Sequence, residues 1–155
     1  TWSLDQVLTD LDVLLRETSP QPAELPIQRL LDDALALYAG PFLPDEAEQP
    51  AYIACRQQIR ARLLRVLTRV ARRWEEAGRV EAAADCYLRC IAADELCEPF
   101  YRNLMLCYQR QGDSAEALAT YERLRMVLAA RLKSVPSPET QAVFNGLQER
   151  LRTAS

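Results

Sequence analysis

Residues 74–87 read WEEAGRVEAAADCY, and residues 108–121 read YQRQGDSAEALATY. Laid on each other at an offset of 34, Trp74 meets Tyr108, Gly78 meets Gly112, Ala83 meets Ala117 and Tyr87 meets Tyr121. These residue types suit a helix–turn–helix unit. A ring fills the end of the first helix and glycine supplies the positive-φ residue of a tight turn. Alanine lets the second helix approach closely, and tyrosine fills the space beside it. Asp113 and Glu116 add the spacing of a capping box at the next helix start.

Outward from these segments, apolar residues recur at intervals of three and four. Ile53, Ile59, Leu63, Leu67, Val70 and Trp74 predict one long helix over 51–77, ended by Gly78. Four shorter helices follow near 80–93, 97–111, 114–131 and 139–152, separated by Asp94-Glu95, Gly112-Asp113 and Pro136-Ser137-Pro138. Upstream, Leu4, Val7, Leu8, Leu11, Leu14 and Leu15 predict a helix of about three turns capped by Ser3. Residues 18–26, with Pro20, Pro22 and Pro26, read as a loop, and helix resumes at Ile27 and stops at Gly40-Pro41. Phe42-Leu43-Pro44-Asp45 is the next loop. The expectation is an all-α chain of about seven helices.

A 34-residue period with these residues resembles the tetratricopeptide repeat, which implies a solenoid of helical hairpins. The first clear unit covers 64–97 and the second 98–131, where Met105 and Leu124 stand at places the repeat gives to small residues. One repeat cannot bury both of its faces, so about three are needed. Residues 1–49 therefore read as a degenerate first repeat, 50–97 as the long helix with its repeat, 98–131 as the next repeat and 137–152 as a capping helix, all in one domain over 1–155.

The run Leu37-Tyr38-Ala39-Gly40-Pro41-Phe42-Leu43-Pro44, the Arg-rich helix after it, the segment Ala119-Thr120-Tyr121-Glu122-Arg123-Leu124-Arg125 and the run Pro136-Ser137-Pro138-Glu139-Thr140 sharpen the resemblance. Together they resemble the bacterial transcriptional activator domain of Streptomyces antibiotic regulatory protein-type and maltose-activator-like regulators. That resemblance implies a tetratricopeptide-like regulatory module in signal transduction, not an enzyme, with DNA binding outside this stretch. The implied partners are proteins: other domains of the same regulator, a second copy, or the transcription machinery. A departure lies before the last motif, where the family commonly has a Gly-Val-Glu-Pro-like approach and this chain has Lys133-Ser134-Val135-Pro136. The competing expectation is a free-standing tetratricopeptide adaptor or chaperone that binds acidic peptide segments.

Composition agrees with a non-catalytic module. The chain has 155 residues, 49% hydrophobic, and no His, which removes imidazole-based triads and two-His zinc sites. Asp32-Asp33 and Glu75-Glu76 are neighbours about 100° apart on a helix and make poor acid–base pairs. The expectation is no catalytic residue, no cofactor and no metal site. Five cysteines without framework spacing suggest a reducing cytoplasm. Cys86, Cys90, Cys97 and Cys107 are read as packing residues, with a thiolate metal site or a reactive thiol at Cys55 or Cys97 as alternatives. No apolar stretch is long enough for a membrane helix. Starting at Thr1 without a signal-peptide pattern, the chain is expected to be a piece of a longer protein.

Charge is segregated beneath a net −3: residues 1–49 hold 10 acids and 2 bases, while residues 50–74 hold 7 arginines and no acid. Arg65, Arg69 and Arg72, spaced four and three apart, share one helix face. In the repeat the chain resembles, such first-helix positions face the ligand. The matching positions of the second unit include Arg102, Asn103 and Arg110. The six residues are expected to line one basic groove that receives an acidic segment, from residues 1–49 or from a partner. Phosphate binding and a plainly solvated face are the alternatives, and net negative charge disfavours specific DNA binding.

Overall fold

The computed structural model describes residues 4–16, 24–39 and 50–154, which form seven helices and, among these residues, no strand. The cap at Ser3, the prolines at 20 and 22, the Gly40-Pro41 stop, the loop at 42–45 and the side chain of Cys55 lie outside the described residues. The chain divides into two compact units, Thr1–Arg73 and Trp74–Ser155.

The first unit holds α1 (Leu4–Arg16), α2 (Glu24–Ala39) and α3 (Pro50–Glu76) up to Arg73. α1 and α2 pack on each other. Their buried stripes repeat at helical spacing: Val7, Leu8 and Leu11 on one, Ile27, Leu31 and Leu35 on the other. α2 begins three residues before the position expected from the prolines, with Pro26 inside its first turn. The first four N–H groups of a helix have no intrahelical acceptor, so a residue lacking one costs nothing there.

The second unit holds the last turn of α3 with α4 (Val80–Ala93), α5 (Glu98–Arg110), α6 (Ser114–Leu132) and α7 (Pro138–Thr153). α4 packs on α5, α5 on α6, and α7 on both α5 and α6. The two tight turns repeat bond for bond. At the first, Gly78 N–H donates to Glu75 O (3.0 Å), Arg79 N–H to Trp74 O (2.7 Å) and Ala83 N–H to Arg79 O (3.3 Å). At the second, Gly112 N–H donates to Gln109 O (3.1 Å), Asp113 N–H to Tyr108 O (2.9 Å) and Ala117 N–H to Asp113 O (3.2 Å). Both glycines are in the left-handed region, with φ of 76° and 77°.

The capping box is half formed. The Asp113 carboxylate accepts from Glu116 N–H at 3.2 Å, but the Asp113 N–H is already given to Tyr108 O, so Glu116 has no donor to reach back for. Met105 and Leu124, the large residues at small positions, are both fully buried. Met105 packs with Ala117, Tyr121 and Leu147, and α7 supplies the last of these. α6 ends at Lys133, in the left-handed conformation with φ 48° and ψ 43°. Its Ser134 N–H returns to Leu128 O at 3.2 Å. The chain reverses here through a conformation that a Cβ resists.

Candidate partner-binding surface

Arg65, Arg69 and Arg72 are exposed on α3 within the first unit. At about 100° per residue, Arg62 and Arg69 fall within about 20° of each other, and Arg65 and Arg72 sit about 40–60° further round. The inner pair meets α1. Arg62 Nη2 donates to Thr9 Oγ1 at 2.7 Å, and Arg69 Nη1 pairs with Asp12 Oδ1. Thr68, next to Arg69, turns its hydroxyl onto Leu64 O at 2.7 Å. Neither Arg65 nor Arg72 has a hydrogen bond or ion pair among the described residues.

Arg102, Asn103 and Arg110 lie on α5 in the second unit. Arg110 Nη1 pairs with Glu75 Oε2, whose other oxygen accepts from Cys107 Sγ at 3.4 Å. Arg102 Nη1 points at α7, 3.3 Å from Thr140 Oγ1 and 3.5 Å from Ser137 Oγ. Asn103 is half-buried. With its amide oxygen assigned toward α7, Gln109 accepts from Arg150 Nε at 3.1 Å.

A polar cluster that the sequence pattern did not single out joins α5 to α7. Glu98 Oε2 accepts from Ser137 N–H at 3.0 Å and from Thr140 Oγ1 at 2.8 Å. Ser137 caps α7, its hydroxyl accepting from Thr140 N–H at 3.4 Å, and Pro138 opens the helix where its missing N–H is harmless. Thr140 is fully buried. Burial alone would raise the Glu98 pKa. The Ser137 N–H, the Thr140 and Ser137 hydroxyls and the Arg102 guanidinium together outweigh it and hold the carboxyl below its ordinary 4.5. The run Pro136-Ser137-Pro138-Glu139-Thr140 stood out in the sequence as a turn and a motif, but not as a cap, and its carboxylate partner lies 39 residues upstream and leaves no local signal.

Cys86, Cys90, Cys97 and Cys107 are buried free thiols, and no group of three or more potential metal ligands occurs among the described residues. Burial, reinforced by the hydrogen bond to Glu75, pushes Cys107 up to about 12, and burial with the neighbouring Cys86 raises Cys90 further. Burial thus favours the neutral thiol at Cys90 and Cys107, where it packs as a small apolar group. No described helix is long and apolar enough to cross a membrane.

No curated protein and no solved structure matches the chain. Residues 11–148 match the bacterial transcriptional activator domain, a span that contains both repeated turns, the arginine face and the capped start of α7. The chain belongs to the bacterial transcriptional activator domain family, a family of helical regulatory domains from transcription activators.

Proposed function

We propose that this chain is the protein-interaction and regulatory module of a cytoplasmic bacterial transcription regulator, without catalysis or sequence-specific DNA binding of its own. Its partner is a protein segment rich in carboxylates, drawn from the same regulator, a second copy or the transcription machinery. The observation that carries this is the arginine face of α3. Its inner pair already engages an acidic helix in cis through Thr9 and Asp12, while Arg65 and Arg72 stand exposed beside it. Guanidinium groups at that spacing suit carboxylates presented along one face of a helix. On α5, Arg102 and Arg110 have partners within their own unit, so α3 is the stronger part of the surface.

The test separates the two tracks. Arg65→Glu with Arg72→Glu, made in the regulator that carries this domain, is expected to abolish transcriptional activation while leaving the melting temperature unchanged. Full activation by that variant would sink the partner-surface assignment. Residues 1–155 alone are expected to bind DNA weakly and without sequence preference at about 0.15 M salt. A nanomolar, sequence-dependent gel shift would overturn the placement of DNA reading elsewhere.

A further inference from the structure

α7 is held on the second unit by two different kinds of contact. An apolar one buries Leu147 with Met105, Ala117 and Tyr121, with Phe144 stacked on Tyr121 at 3.9 Å between ring centroids. A polar one sets the N-terminus of α7 on Glu98, through the Ser137 N–H and the Thr140 hydroxyl. Both are specific, and both lie on one continuous face of α5 and α6. The link between α6 and α7 is of another quality. Only residues 133–137 join the two helices. The reversal passes through Lys133 in a left-handed conformation that side chains resist. Leu132 and Val135, beside that hinge, are 56% and 70% exposed.

We propose that α7 is an exchangeable strap: two copies of this chain pair by trading α7, each seating its helix on the α5–α6 face of the other. The receiving face is the one α7 occupies within its own chain, so the exchanged pair keeps every contact that α7 itself makes on α5 and α6. Extending the hinge releases the left-handed Lys133. The two extended linkers then run side by side, which covers Leu132 and Val135. Short hinges under backbone strain favour such exchange. None of the α3 arginines takes part, so this pairing stands or falls independently of the acidic-partner surface.

Two sets of full-chain variants test it. Deleting Ser134 and Val135 places Lys133 directly before Pro136, which excludes the left-handed turn and leaves too short a link for α7 to fold back. Light scattering is expected to give the mass of two chains at wild-type helicity, and a monomer that retains full helicity overturns the proposal. In the second set, Glu98→Lys and Thr140→Asp each spoil docking of a chain's own α7. Mixed, they offer Lys opposite Asp at one face and the native Glu–Thr pair at the other. Native mass spectrometry is expected to show a one-to-one dimer in the mixture and monomers of each variant alone. A mixture of two helical monomers with no heterodimer overturns it.

Discussion

Among the described residues, three positions carry backbone conformations that depend on having or lacking a Cβ: Gly78, Gly112 and Lys133. At both glycines a Cβ would meet nothing within 4 Å, so a substitution there is purely a matter of φ. Gly78→Ala and Gly112→Ala are each expected to destabilise by about 1–2 kcal/mol, the cost of placing an L-residue in the left-handed region. Lys133 already bears that cost, since it stands at φ 48° with its side chain exposed. Lys133→Gly is therefore expected to stabilise the chain by about 1 kcal/mol. Chemical denaturation of the three variants checks the signs. A loss of stability in Lys133→Gly would mean that the lysine side chain contributes something the backbone does not reveal.

Among the described elements, α7 is anchored at its start by a carboxylate whose ionisation its partners favour. Because Glu98 titrates below its ordinary 4.5 in the folded state, its contribution is fully present above that value and is lost as pH falls through the lower folded value. The melting-temperature gap between wild type and Glu98→Gln is expected to be largest near neutrality and to narrow as pH falls below about 4. A gap constant from pH 7 to 3 would show that the carboxylate is not what anchors the helix. The same contrast explains what was legible in the sequence. Seven helices, their turns at Gly78 and Gly112 and the cap at Asp113 are encoded within a few residues, by period, by glycine and by side-chain spacing. The start of α2 was misplaced because Pro26 reads as a breaker anywhere except in a first turn. Glu98 with Ser137 and Thr140, 39 and 42 residues away, and Arg69 with Asp12, 57 residues away, depend on how helices meet. The charge pattern indicated that the arginine face would attract acids, but no spacing could name which ones.

For the molecule as a whole, the segregation of charge raises the question of what holds an acidic N-terminal segment in place. With 10 acids and 2 bases in residues 1–49 and 7 arginines in residues 50–74, attraction between them is the obvious candidate. Magnitudes argue otherwise. The side chains of Arg69 and Asp12 are 43% and 25% exposed, and an ion pair so open to water contributes about 0–1 kcal/mol. On α1, Val7, Leu8 and Leu11 are at most 1% exposed, and burying each such side chain contributes about 1.5–3 kcal/mol. Apolar burial therefore fixes α1, and the charges select orientation and resist wrong partners. Leu11→Ala is expected to cost about 2–5 kcal/mol. Arg69→Ala is expected to cost less than about 1 kcal/mol, and that small loss should shrink further in high salt. Urea denaturation of both variants at low and high salt decides the matter. If Arg69→Ala costs as much as Leu11→Ala, electrostatic docking governs the first unit and an acidic partner in trans must displace α1 to bind. If the costs separate as expected, α1 stays seated and a partner has only the outer pair, Arg65 and Arg72, to engage.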